Sequence, residues 1–114
     1  MQDMWIKRLA EKGFKVYRDE LGFFSYRVDP CNVFFVSELF VQPQHRGIEA
    51  ITHLYMKACK LAVINKCTLF KGIVRANGKD PFKLIKLYRG FGLEIIDTCE
   101  DAGIVMVGEV PNVV

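Results

Sequence analysis

The stretch Val33-Phe34-Phe35-Val36-Ser37-Glu38-Leu39-Phe40-Val41, followed by Gln42-Pro43-Gln44-His45-Arg46-Gly47, decides how this chain is read. Its first nine residues form the longest and most β-branched of three strand-like runs, which suits a central strand of a sheet. Pro43 has no backbone N–H to give to a ladder and stops the strand. Ile48, Ile51, Leu54, Tyr55, Ala58, Leu61 and Ala62 then recur at steps of three and four, so a helix is predicted from about Gly47 to Asn65. A long strand, a proline turn and a helix thus follow one another without a break.

Upstream lie the two other strand-like runs, Phe14–Arg18 and Phe23–Val28. The turn sequences Asp-Glu-Leu-Gly (19–22) and Asp-Pro-Cys-Asn (29–32) make the three runs an antiparallel meander. Residues 2–12 read as a short amphipathic helix with Met4, Trp5 and Leu9 on one side, ended by Gly13. Downstream, Thr68–Val74 is a further buried strand. Asp80-Pro81 is an N-cap with proline at the first helical position, and the helix it opens runs through Phe82, Leu84, Ile85, Leu87 and Tyr88 to Gly90 and Gly92. Leu93–Thr98 and Ile104–Val110 form a closing hairpin. This order predicts an α+β domain, in effect an α/β three-layer one: a mixed sheet with an antiparallel meander, a parallel strand pair and flanking helices. The carboxyl ends of neighbouring parallel strands open a crevice where ligands bind, here between Val33–Val41 and Thr68–Val74.

The 114 residues fit a single domain spanning 1–114, with 51% apolar and 25% charged side chains. No apolar run exceeds four residues, against the roughly twenty that a membrane span needs, so no membrane association is expected. The N-terminus lacks the order of a signal peptide. Cys31, Cys59, Cys67 and Cys99 include no CxxC pair and no histidine at ligand spacing, so no metal site is expected and the thiols are read as reduced, in a cytoplasmic protein. The net charge of +3 is distributed unevenly. Residues 57–89 carry nine Lys and Arg against Asp80 alone, whereas residues 90–114 carry five acids and no Lys or Arg. Such a basic middle fits an anionic ligand, a phosphorylated one included, or a pair of solvated helix faces. It lacks the aromatic interleaving of nucleic-acid surfaces, so nucleic acid is disfavoured as a partner.

The junction Gln44-His45-Arg46-Gly47 sets an arginine beside the free N–H groups of a helix N-terminus, a local chemistry that accepts phosphate. Local chemistry alone favours a tight turn with a solvent-facing arginine, since a single Arg-Gly pair is weak. Leu39-Phe40-Val41-Gln42-Pro43-Gln44-His45-Arg46-Gly47, with Leu54 further along the helix, resembles the cofactor-binding strand, turn and helix of the GNAT N-acetyltransferase superfamily. Leu87-Tyr88-Arg89-Gly90-Phe91-Gly92-Leu93 resembles that family's C-terminal helix end. The two matches stand in the family's order, and the resemblance covers about residues 14–110.

The resemblance implies acetyl transfer from acetyl-coenzyme A to an amine of a small molecule or a protein. The backbone of Leu39, Phe40 and Val41 would pair with the pantetheine arm. Arg46, Gly47, Ile48, Glu49 and Ala50 would hold the pyrophosphate. Tyr88 would protonate the leaving thiolate, and Asn77 would match the asparagine before the last helix. The chain departs from the family pattern at Glu49 and Ile51, where small residues are expected, in the four residues Gly78 to Pro81 that displace Asn77, and in a shortened N-terminal region. Glycine there lets backbone approach phosphate, and a carboxylate repels it. For the base, Glu38 on the long strand acts through water in one reading and is merely exposed in another; His45 is the poorer candidate. Tyr88 likewise reads as acid or as core aromatic. Those departures support the alternative of a catalytically inactive member that serves as a binding or structural module.

Overall fold

The structure is a computed structural model that describes residues 13–45, 47–75, 81–98 and 103–110. The helix expected over residues 2–12, Arg46, Asn77 and the Asp80 cap lie outside the described residues.

β1 (Lys15–Arg18) and β2 (Gly22–Asp29) pair antiparallel around a turn tied by Asp19. Its carboxylate accepts hydrogen bonds from the Leu21 N–H (2.8 Å), the Gly22 N–H (3.3 Å) and the Tyr17 hydroxyl (3.0 Å). Such self-contained bonding is why aspartate starts turns. β2 returns into β3 (Val33–Val41) through Cys31 and Asn32, both with left-handed φ (66° and 61°). The expected meander therefore forms, and the third strand has the predicted bounds.

After β3 a short 3-10 turn (Pro43–His45) leads into α1 (Ile48–Ile64), close to the predicted helix. β4 (Leu69–Val74) lies parallel to β3, α2 (Pro81–Gly90) follows, and β5 (Glu94–Thr98) with β6 (Ile104–Glu109) completes the chain. The sheet order is β1-β2-β3-β4-β6-β5, with β3–β4 the parallel pair and every other pairing antiparallel. This is the expected mixed α+β sheet. Its outer strand β5 is exposed along its whole length and carries a register shift between Ile95 and Asp97.

The core lies on one face of the sheet. Phe24, Phe34, Val36, Phe70 and Met106 pack against Leu54, Tyr55, Ala58, Cys59 and Ala62 of α1, and Leu84, Ile85, Leu87 and Tyr88 of α2 close over the same cluster. Stacked or tilted rings run from Tyr17 through Phe24, Tyr26 and Phe34 to Phe70 (centroids 5.0–5.9 Å) and on to Tyr55 at 5.1 Å. On the opposite face Arg27 pairs with Asp29 and lies over the rings of Phe14 and Phe35. Both described helices thus form one layer, set against the α1 side of the sheet.

Gly22 sits where β2 meets the end of β3, opposite Val41. A Cβ there would stand 1.9 Å from the Phe40 carbonyl oxygen, a backbone atom that cannot swing aside. Gly22→Ala is expected to cost about 3 kcal/mol, at the upper end of overpacking, read as a lower urea midpoint with an unchanged slope. An unchanged midpoint would mean that β2 and β3 can separate at this point.

Candidate functional site

The site begins with a miscount between two strands. Ser25 of β2 opposes Glu38, and the next residue, Tyr26, opposes Val36, so Ser37 is an extra residue in β3. A bulge bends its strand and ends regular pairing nearby. The parallel register between β3 and β4 does end there: Val36↔Gly72 is its last pair, while β3 continues to Val41 and β4 to Val74. The two strands part at the crevice foreseen from the sequence.

Polar groups hold the bulge. The hydroxyls of Ser25 and Ser37 lie 2.6 Å apart, and Ser25 is the buried polar residue of the sheet, 1% exposed. Just past the end of β4, Arg75 donates through Nη1 to the Ser37 carbonyl oxygen at 2.9 Å, linking residues 38 apart in sequence. This charge-assisted bond spans the parting strands at the point of divergence. Neither serine nor Arg75 stood out in the sequence, because a bulge is a relation between strands and only the partner's register reveals it.

Beyond the bulge, Leu39 pairs with Phe24, Phe40 with Phe23 and Val41 with Gly22. The pairing sets Leu39 and Val41 on the α1 face with Phe24, and Glu38, opposite Ser25, on the other face. Glu38 is exposed. α1 then starts beside the end of β3, with Gly47 as N-cap and no side chain to bond its first amides. Glu49 is exposed in the first turn, Ala50 is buried, and Ile51 is buried in the core at 7% exposure. The positions where the family pattern has small residues are therefore helical here.

A groove of about 740 Å³ runs from this helix start between α1 and α2, lined by Gly47, Ile48, Ile51, Lys83, Leu84, Lys86 and Leu87. Glu49 is not part of its lining.

Tyr88 lies on the last turns of α2, half-buried against the same core. Its ring meets Phe91 (5.8 Å) and Tyr55 (6.4 Å) edge-on. Loss of solvent pushes its hydroxyl up to about 12, so it stays protonated at neutral pH. Glu38 and Tyr88 are thus on opposite sides of the sheet.

Tyr55, read from the sequence only as an apolar helix position, is 2% exposed and stacks on Phe91 at 4.3 Å. Among the described residues its hydroxyl, beside the Cys59 thiol one turn on, has no partner in hydrogen-bond geometry, and burial pushes its ionisation above the usual phenol range. Burial likewise raises the Cys59 and Cys67 thiols, which makes them inert as nucleophiles.

No family model matches the sequence, and no curated protein matches it. Solved structures do. A nourseothricin acetyltransferase superposes with a TM-score of 0.63 at 22% identity over 84% of this chain. The PaiA N-acetyltransferase of Thermoplasma acidophilum, solved with coenzyme A, gives 0.65 at 15% identity over 90% of this chain. Ard1 of Thermoplasma volcanium gives 0.70 at 17% identity, covering 96% of this chain and 78% of its own. This chain spans 64% of the nourseothricin enzyme and 65% of PaiA. A six-stranded mixed sheet with this order, parted at its parallel pair, is the fold of the GNAT N-acetyltransferases, and the chain has that fold.

Removing a buried hydroxyl that has no partner removes a desolvation cost. Tyr55→Phe is therefore expected to raise stability by about 1 kcal/mol, seen as a higher denaturant midpoint. A loss of stability would show that the hydroxyl is bonded. For Tyr88, the folded-state value lies above the ordinary 10, so the folded protein holds this proton more tightly than the unfolded chain. Its stabilising share is complete below pH 10 and is lost as pH rises through about 12. Alkaline unfolding of Tyr88→Phe should accordingly begin at higher pH than that of the parent.

Proposed function

We propose that this chain transfers an acetyl group from acetyl-coenzyme A to an amine. The observation that carries this reading is the parting of β3 and β4 after Val36 and Gly72, with a helix start at the open end. The fold alone hosts more than one function, so the argument rests on the chemistry of that gap. An extended arm bearing amides is recognised by strand backbone, as in β-strand addition. Leu39, Phe40 and Val41 supply that backbone, and the first turn of α1, Gly47 to Ala50, lies where a diphosphate would follow. Arg46, immediately before it in sequence, and Asn77 belong to the same proposal.

The reaction needs no covalent enzyme intermediate. The amine nitrogen attacks the thioester carbonyl carbon, the C–S bond breaks, and its electron pair leaves on sulfur. The nitrogen loses one proton to water on the Glu38 side of the sheet, and Glu38 relays that proton to bulk solvent. On the helix side, Tyr88 faces the developing thiolate. A phenol held near 12 is a weaker acid than a thiol of about 8.5. Tyr88 therefore acts as a hydrogen-bond donor to sulfur, and the thiolate takes its proton from solvent as coenzyme A departs. Fixed donors of this kind are strongest where water is excluded. The acceptor is an amine of a small molecule or a protein. The free thiols Cys31, Cys59 and Cys67 support a reducing, cytoplasmic setting; no described helix is long and apolar enough to cross a membrane.

The second reading, a GNAT-fold binding module without catalysis, draws on Glu49 and Ile51 in the first helical turn. Incubation with acetyl-coenzyme A and a panel of primary amines, followed by free thiol, separates the two. Amine-dependent thiol release supports transfer, binding of acetyl-coenzyme A without release supports the module, and no binding overturns transfer. With an active amine in hand, Tyr88→Phe should lower turnover by about 10²-fold, the scale of one lost donor, with cofactor affinity unchanged. Turnover equal to the parent's would remove Tyr88 from the site.

A further inference from the structure

Three aromatic side chains meet where α2 ends. The rings of Tyr55 and Phe91 lie nearly parallel, 9° apart with centroids at 4.3 Å. Tyr88 stands across both, at 79° to Phe91 (5.8 Å) and at 70° to Tyr55 (6.4 Å). The base of the stack is fixed, because Tyr55 is buried and meets Phe70 of β4 edge-on at 5.1 Å. A phenol hydroxyl lies on the axis through Cβ and Cγ, so spinning the ring about that axis leaves the oxygen where it is. Only a swing about Cα–Cβ carries it away. Two rings set across Tyr88 obstruct that swing, and edge-to-face contact is itself attractive.

The backbone delivers Phe91 to this place. The Tyr88 carbonyl oxygen accepts from the Phe91 N–H (3.0 Å) and from the Leu93 N–H (3.1 Å), and the Gly92 N–H donates to the Arg89 carbonyl oxygen (2.9 Å). Gly92 has a left-handed φ of 97°, which turns the chain back over the last turn of α2. Leu93, buried in the core, anchors the far side of the turn. Phe91 itself is only partly buried, at the rim of the core. Its ring therefore lies against Tyr55 of one helix and Tyr88 of the other without filling the centre of the fold.

We infer that Phe91, seated on Tyr55, is a positioning residue for Tyr88: it holds the hydroxyl where the departing sulfur meets it, and itself touches neither substrate nor cofactor. This rests on the acetyl-transfer reading and on the place of Tyr88 in it. A hydrogen bond used mainly in the transition state is effective only when its donor is already in place, and a displacement of about 1 Å costs on the order of 10²-fold in rate.

Turnover with acetyl-coenzyme A and an active amine tests it in the parent, Phe91→Ala, Tyr88→Phe and the variant carrying both changes. Phe91→Ala should lower kcat by about 10- to 100-fold and leave KM for acetyl-coenzyme A close to the parent's. Phe91→Tyr restores a flat ring on Tyr55 and should return kcat to near the parent value. A residue that acts through Tyr88 has nothing left to do once the hydroxyl is gone, so the double variant should be no slower than Tyr88→Phe alone. Losses that multiply in the double variant overturn the inference, and a mere loss of folded protein gives that result, since it slows both backgrounds alike. Parent-like turnover of Phe91→Ala, or of Tyr88→Phe, overturns it as well and leaves acetyl transfer standing. Nuclear magnetic resonance of ring-labelled tyrosine reads the contact without any amine. The ring signal that Tyr88→Phe deletes should move in Phe91→Ala and return in Phe91→Tyr, and a signal that stays in place overturns the inference. A parent that transfers to no amine overturns the acetyl-transfer reading and the role of Phe91 with it, even where the ring signal moves.

Discussion

One extra residue in a central strand sets the geometry of everything around it. A sheet hydrogen-bonded from edge to edge has no interior opening, because each strand satisfies its neighbours' backbone groups. Ser37 breaks that regularity in β3, and the parallel pairing with β4 stops one residue before it. An interruption inside a sheet exposes polar backbone to the core, which is costly unless other donors and acceptors replace the ladder. The Arg75 guanidinium does so for the Ser37 carbonyl, and the Ser25 and Ser37 hydroxyls satisfy each other. α1 and α2 stack on the face where the core lies.

Much of this was legible in the sequence, and the reasons differ by element. β3 has its expected bounds because six of its nine residues are β-branched or aromatic and turn and proline signals flank it. α1 was legible from its three- and four-step apolar period. The crevice followed from element order alone, since a helix between two strands makes them parallel neighbours. Tyr88 is singled out only by a motif resemblance, and the structure shows it half-buried among aromatic rings.

The rest depends on distances between segments far apart in the chain. Ser25 of β2, Ser37 of β3 and Arg75 just after β4 share no local pattern. Tyr55 has the spacing of an ordinary core residue, and only packing shows that its hydroxyl has nothing to bond. Lys83 and Lys86 belonged to a basic stretch that the sequence left divided between ligand site and solvated helix face. Their place in a groove depends on Ile48 and Ile51, more than thirty residues earlier, lining its other side.

The far edge of the sheet has a different significance. β5 ends the sheet with a whole strand open to solvent, and an open edge is a template on which another chain can add by backbone pairing. Ile95 and Ile96 make that edge adhesive, with 39% and 56% of their surfaces exposed. Glu94 and Asp97 bracket them, and the register shift between Ile95 and Asp97 roughens the line that an incoming strand would have to match. A second copy pairing in parallel register along this edge would set Glu94 against Glu94 and Asp97 against Asp97, a like-charge pairing that costs energy.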